Sequence, residues 1–335
     1  MAAPGHLRLD HHRADGDLRA RLRPGVTPEV LTVGRVSVDL YPEQIGVPLA
    51  EVRTFRKMLG GSPTNVAVAA ARLGRRAAVI TKVGDDAFGL YVRQALSRFG
   101  VDASLVGTHP TLRTPLAFCE IYPPDRFPLL FYRAPKAPDL ELDDLGGVAS
   151  EAALLWTTGT GLSEEPSRSA TLSALRRRGR RPIAVHDLDY RAVFWPSPEE
   201  AARWNREALG HATVAVGNTE EVAVTLGEEL DAERAARGLL DLGPELAVVK
   251  RGTEGTLAAT RKQTVAVAPV RVDVVNGLGA GDAFGGALCH GLLAGWPLEQ
   301  ALRFANAAGA LVASRLGCAD DMPTTAEIEE LLCAV

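Results

Sequence analysis

The chain has 335 residues, 46% of them hydrophobic, with 37 basic against 41 acidic side chains and a formal net charge of −4. Such a length suits one large domain or a domain with an appendage, because single cores stop growing near ~250–300 residues. The acidic balance excludes a nucleic-acid surface or an anionic membrane as the main partner, and no apolar run reaches the ~20 residues that span a bilayer.

Residues 1–27 are polar and carry His and Arg without the apolar core of a signal peptide. They are expected to form a disordered extension, leaving 28–335 as the folded unit. Cys119, Cys289, Cys318 and Cys333 are scattered, with no C-x-x-C pair and no His/Cys cluster. That spacing gives neither a disulfide framework nor a zinc site and reads as a cytoplasmic protein.

From Val30 the chain alternates. Val30–Val38 is an apolar run ending at Asp39, and Gly60-Gly61-Ser62-Pro63-Thr64-Asn65 leads into an Ala/Val-rich helix over Thr64–Leu73, with Ser62 or Thr64 as N-cap. A strand over Arg76–Val83 precedes a helix over Phe88–Phe99. Ala153–Thr158, Ile183–Asp187, Thr213–Gly217 and Leu246–Lys250 read as short buried strands, with helices near Ser167–Arg178, Pro198–Leu209, Glu220–Leu226 and Asp231–Leu242. The alternation predicts an α/β fold with a mostly parallel sheet and helices on both faces. Ligands of such sheets bind at the carboxyl ends of the strands. Two segments break the pattern, about 39–60 and 111–135. Tyr41–Leu59 lacks a helical period, and Thr114–Tyr132 looks like two strands around a Pro-Pro-Asp turn. They fit either a small lid sheet or an edge extension of the main sheet.

Three groups of residues carry chemistry. Asn276–Leu293 places glycines and Asp282 before an apolar helical segment. This fits an anion held at a helix N-terminus beside a general base, or simply tight strand–helix packing. Asp39 with Gly61 and Asn65 fits the holding of sugar hydroxyls, which both give and accept hydrogen bonds; a capped helix with an upstream Asx-turn uses the same residues. Arg133 and Arg191, each after a strand, fit a bidentate grip on a carboxylate, or surface pairing with acids such as Asp125 and Asp189.

Taken together, Gly60–Gly74 (GGSPTNVAVAAARLG) and Gly277–Asp282 (GLGAGD) resemble the two signatures of the ribokinase-type, or pfkB, carbohydrate kinases, in the same order and at a similar separation. The resemblance covers Val30 to the C-terminus. It implies a ribokinase-like three-layer α/β/α fold with a small β-strand lid, and phosphoryl transfer from ATP with Mg²⁺. It makes Asp282 the catalytic base, with Gly279, Ala280 and Gly281 supplying N–H groups to the phosphoryl in transit. Asp39, Gly61 and Asn65 would hold the sugar, and the paired arginines turn the expectation towards an acidic one. Asn218 and Glu221, in an N-x-x-E element, would lie near the phosphates and the metal. Lys250, Gly252 and Gly255 form the nucleotide-side turn, and Asn306 would close the adenine pocket. Asn276 departs from the family's common aspartate, which helps hold a monovalent cation, so potassium activation is not implied. A homodimer formed through exposed lid strands is also expected. A sugar-acid sensor without catalysis would not need Gly279–Asp282 intact.

Overall fold

The computed structural model describes residues 18–22, 27–180 and 182–334. Of the expected extension, Leu18–Arg21 form a short 3₁₀ turn, and Leu18 and the following Leu22 pack on the core, so this part is ordered against it. The rest of that expectation lies outside the described residues, apart from residue 27.

The elements follow in order. β1 (Val30–Val33), β2 (Ser37–Pro42), β3 (Phe55–Gly60), α1 (Ser62–Arg72), β4 (Ala77–Gly84), α2 (Ala87–Arg98), β5 (Val106–His109), β6 (Leu116–Cys119) and β7 (Leu129–Tyr132) form the first half. Next come α3 (Val148–Glu151), β8 (Leu154–Thr158), α4 (Ser167–Arg178), β9 (Ile183–Asp187), α5 (Pro198–Leu209), β10 (Val214–Asn218), α6 (Thr219–Leu226) and α7 (Ala232–Asp241). β11 (Leu246–Lys250), β12 (Thr256–Thr260), β13 (Thr264–Val267), α8 (Ala280–Leu293), α9 (Leu298–Ala313) and α10 (Thr325–Ala334) complete the chain.

The main sheet has nine strands in the order β13-β12-β11-β10-β9-β8-β1-β4-β5, parallel except for β12 and β13. Its central strands are mostly apolar runs because both faces are covered. Successive side chains still alternate between the layers. Val30, Leu154, Trp156, Val214 and Val248 pack with α1, α8 and α9. Leu31 and Leu155 pack with α4 and α5, and Ala215 and Ala247 with α6 and α7. The expected three layers are therefore present. Helix starts are fixed locally: Asp86, Ser197 and Asp231 each accept an N–H from the first turn they cap.

The apolar run Val30–Val38 is not one strand. Gly34, at φ 129, breaks it, and β2 leaves the main sheet for a second one. That small sheet runs β3-β2-β6-β7, with β2 and β6 parallel and the outer pairs antiparallel. The two segments that broke the alternation thus pair with each other and do not extend the main sheet. Asp39 accordingly lies within a strand of the small sheet, not at the end of a main-sheet strand.

β1 is the switch point, with β4 on one side and β8 on the other, and the crevice of such a sheet opens there. α1 and α8 meet above it. A Cβ on Gly285 would stand 2.7 Å from the Trp156 ring, and one on Gly286 would stand 2.3 Å from Ala69 Cβ and 2.9 Å from Ala70 N. Gly286→Val is expected to lower stability in urea unfolding by ~1–3 kcal/mol through overpacking, and to lower activity because both helices carry site residues. Unfolding and turnover both equal to the native protein's would contradict this.

Candidate active site

The glycine-rich run builds the mouth of α8. Gly279 is the N-cap, left-handed at φ 82, and a Cβ there would stand 2.5 Å from Cys318 Sγ, so conformation and space both require glycine. Ala280, Gly281 and Asp282 form the first turn, whose N–H groups lack intrahelical partners. A Cβ on Gly281 would lie 3.4 Å from Lys250 Nζ, so a lysine borders that turn. Burial works against the Lys250 charge, but the carboxylates of Asp187, Glu221, Asp282 and Asp189 outweigh it and raise its pKa. A positive helix end beside a charged lysine suits an anion with several oxygens.

Asp282 is held from α1. Ser62 Oγ donates to one carboxylate oxygen at 2.7 Å and Asn65 Nδ2 to the other at 2.8 Å. Burial pushes the carboxyl above its ordinary value, and these two hydrogen bonds oppose the shift. Neither Ser62 nor Thr64 caps α1 as expected. Gly61 is the N-cap, without a side-chain bond, and the two side chains serve elsewhere: Ser62 on Asp282, and Thr64 by donating to the Arg35 carbonyl at 3.1 Å. Gly61, at φ 103, allows that close approach, since a Cβ would stand 2.4 Å from the Arg35 oxygen.

Asp39 lies beneath the small sheet and accepts from Ser37 Oγ at 2.6 Å. Burial pushes it up to about 6. Its carboxylate lies over Gly60, where a Cβ would come within 2.0 Å. Asn65 turns its amide nitrogen to Asp282, while its buried oxygen has no partner. Arg133 gives both terminal nitrogens to the buried carboxylate of Asp139, which also accepts the Val36 N–H. Arg191 lies between Asp189 at 3.4 Å and Glu221 at 3.5 Å. Asp189 is the one described non-glycine residue with positive φ, at 29°, a strain typical of functional turns.

A cleft of about 780 Å³ runs from Ser62 and Asp282 along the strand ends to Asn306. Gly279, Ala280, Gly281, Asp282, Arg191, Asn218, Glu221, Lys250, Gly252, Gly255 and Asn306 all line it, whereas Asp39, Gly61, Asn65 and Arg133 do not. Pro124, from the turn of the small sheet, reaches its wall. Asn218 and Glu221 form a capping box on α6, each side chain bonded to the other's backbone N–H. Gly255, at φ 83, packs against the Val267 carbonyl. Asn306 accepts from Thr256 Oγ1 at 2.7 Å and donates to the Ala268 carbonyl at 3.0 Å, tying α9 to the sheet edge.

Several residues escaped the sequence reading. Asp187, at the end of β9, has an oxygen with no hydrogen-bond partner, 3.9 Å from Lys250 Nζ. Burial pushes it up to about 7 against the pull of that lysine. Its place at a buried strand end was the available signal. His186 beside it is held by Thr157 at 3.0 Å and Asn205 at 2.9 Å, and burial pushes its pKa down to about 4, so it is a neutral strut. Asn276 donates to the Leu316 carbonyl and accepts the Leu278 N–H, bracing the glycine loop. All four cysteines are free. Among the described residues, no helix is long and apolar enough to cross a membrane.

Residues 27–325 match the profile of the pfkB family carbohydrate kinase. A relative from Clostridium perfringens, a 5-dehydro-2-deoxygluconokinase, is 34% identical over 314 residues, covering 91% of this chain and 92% of the relative. The fructokinase of Xylella fastidiosa, solved with bound ATP, superimposes with a TM-score of 0.79 at 27% identity, covering 92% of this chain and 99% of that one. A ribokinase-type structure from E. coli, solved with ATP and Mg²⁺, shares the fold with a TM-score of 0.82 at 24% identity over 92% and 100% of the two chains.

Asp39 supplies a test of the site's electrostatics. Its folded-state pKa lies above the ordinary carboxylate value of 3.8, so the folded protein binds this proton more tightly. The resulting stabilisation is present at low pH and is lost as pH rises through about 6. Asp39→Asn is therefore expected to gain stability relative to the native chain between about pH 4 and 7, by roughly 2–3 kcal/mol. A pH-independent difference in chemical unfolding would show that Asp39 titrates normally.

Proposed function

This chain belongs to the pfkB family of carbohydrate kinases, and from that premise we propose that its acceptor is a keto-deoxy sugar acid, 5-dehydro-2-deoxygluconate, phosphorylated on its C6 hydroxyl in myo-inositol catabolism. The observation that carries the chemistry is the half-buried Asp282 carboxylate, held by Ser62 and Asn65 at the N-terminus of α8 beside Lys250. Support for the acceptor comes from the Clostridium perfringens relative and from Arg35, whose closest acid lies at 3.9 Å; Arg133 and Arg191, expected to grip a carboxylate, are instead paired with Asp139 and with Asp189 and Glu221.

In this reading the sugar acid lies beneath the small sheet, with Asp39 and the free amide oxygen of Asn65 receiving its hydroxyls and Gly61 admitting it. ATP lies in the cleft, with Gly252, Gly255 and Asn306 around its nucleoside. Asp282 takes the acceptor proton as that oxygen forms its bond to the γ-phosphorus and the bond to the ADP oxygen breaks. The N–H groups of Gly279, Ala280 and Gly281, with Lys250, meet the charge on the transferring oxygens. Asp282 is well placed as base because burial raises its affinity for a proton.

The residues also fit a nucleotide-borne Mg²⁺. Among the described residues no group of three or more His, Cys, Asp or Glu could hold a metal ion unaided, while Mg²⁺ needs only one or two protein carboxylates when phosphates and water complete its shell. The Asp187 oxygen is unpartnered; Glu221, the expected ligand, divides its oxygens between Asn218 N and Arg191 and would contribute through water. The ion would neutralise charge between the phosphates. A cytoplasmic location belongs to the same proposal.

The test is ADP release with Mg·ATP, offering 5-dehydro-2-deoxygluconate, its isomer 2-dehydro-3-deoxygluconate, fructose and ribose side by side. The first is expected to give the highest kcat/KM, and preference for the isomer would move the acceptor while keeping the kinase. In the same assay Asp282→Asn should lower kcat by ~10²–10⁴ with little change in acceptor affinity; near-native turnover would remove Asp282 as the base.

A second copy of the chain is proposed to cover the small sheet. Leu130 and Tyr132 on its edge strand β7 are 48% and 59% exposed. Tyr132 stacks edgewise on Phe118, which stacks on Phe55, giving an aromatic outer face. Sedimentation equilibrium should find a dimer that Leu130→Lys dissociates; a monomeric native protein would refute it.

A further inference from the structure

We infer that Arg35 is the specificity residue that binds the carboxylate of the acceptor, an inference resting on the reading of that acceptor as a sugar acid. Arg35 lies in the link between β1 and β2 and is only 8% exposed. Its carbonyl accepts from Thr64 Oγ1 and lies close against Gly61, at the start of the helix that holds the base. Its guanidinium packs against the Phe131–Phe194 ring pair, with its carbon 5.6 and 5.8 Å from the two ring centroids. The rings themselves are 4.8 Å apart, one on the small sheet and the other after β9.

What sets Arg35 apart is the state of its donors. Its closest acid is Asp189, at 3.9 Å, beyond hydrogen-bond length, and its buried Nε has no partner. The other buried guanidiniums are well supplied. Arg133 forks onto Asp139, and Arg178, whose Nε is likewise unpartnered, gives its terminal nitrogens to the carbonyls of Ala149, Ala152, Ala153 and Ile183, so the difference lies in the terminal nitrogens. Asp189 cannot readily swing to Arg35, because one of its oxygens accepts Thr160 Oγ1 at 2.6 Å and the other faces Arg191. A buried guanidinium with its fork unpaired is costly, and a planar carboxylate is the partner that fits it, through two parallel bonds. Arg35 also lies near enough to Asp39 and Asp282 for its charge to lower the proton affinity of both. A carboxylate bound there would therefore belong to a molecule whose far end reaches Asp282. Both rings lie to one side of the guanidinium, and its planar fork is a donor set that lysine cannot reproduce.

The experiment compares native protein, Arg35→Lys and Arg35→Met in steady-state ADP release. The acceptors are 5-dehydro-2-deoxygluconate and 2-dehydro-3-deoxygluconate as acids and fructose as the neutral sugar, with thermal melting of each variant. The expected result is a rise of about 10²–10³-fold in KM for the sugar acids in Arg35→Met, the scale of losing one partner of a buried charge pair. The KM for ATP should hold, the acid-to-neutral ratio of kcat/KM should collapse, and Arg35→Lys should recover only part of the loss. A KM for the acids within about threefold of native in either variant would overturn the inference while leaving the sugar-acid reading intact. A native enzyme that prefers fructose would instead overturn that reading, and the inference with it. Should Arg35→Met fail to fold, Arg35→Lys carries the same comparison.

Discussion

The contact between α1 and α8 is the constraint on which the site depends. Asp282 is half-buried, and two donors on the other helix hold both its oxygens. Hydrogen bonds to a charged group are worth about 1.5–3 kcal/mol each, enough to keep a carboxylate in place where burial alone would protonate or expel it. They form only if the helices approach closely, which explains why the small residues do not stop at Asp282. Gly285 and Gly286 face Trp156, Val66, Ala69 and Ala70 with no room for a Cβ. The anion-facing turn and the helix crossing are thus two consequences of one run of small residues.

A second constraint is charge. Asp39, Asp187, Asp189, Glu221 and Asp282 crowd one region with Arg35, Arg191 and Lys250, five carboxylates against three cations. Burial and mutual repulsion raise Asp39, Asp187 and Asp282 together. The cleft itself is lined by four of those carboxylates, Asp187, Asp189, Glu221 and Asp282, against Arg191, Lys250 and Arg271. On the proposed reading, a divalent cation brought by the nucleotide would offset that acidic excess, because the metal reverses the sign of the phosphate end.

The sheet and its helices were legible in the sequence because strands covered on both faces are continuous apolar runs bounded by turns. Two facts were not. Gly34 interrupts an apolar run without changing its hydrophobicity, so β2's departure to the small sheet leaves no periodic trace. The partners of Asp282 lie 220 and 217 residues away, and nothing at Ser62 or Asn65 distinguishes a hydrogen bond to a distant carboxylate from a helix cap or a sugar contact. Arg133 was different: pairing with an acid was expected as one alternative, but with Asp125 or Asp189 named, whereas the partner is Asp139, six residues on. Arg35 was hidden by its position inside the apolar run, where a lone arginine reads as an irregularity in a strand.

The small sheet is coupled to the phosphate end by more than proximity. Tyr41, Met58, Cys119 and Ile121 from the small-sheet region share one apolar cluster with Cys318, and Phe127, Leu129, Leu278 and Leu316 pack against it. Phe127 bears on Gly277, Cys318 fills the space beside Gly279, and the Tyr41 hydroxyl touches the Cys318 sulfur at 2.7 Å. Close-packed interiors pass displacement on because they have no slack to absorb it. On the proposed reading, with the acceptor seated on Asp39, any shift of β2 on binding would be passed through this cluster to the loop that sets the α8 amides, coupling phosphoryl transfer to an occupied acceptor site and disfavouring transfer to water.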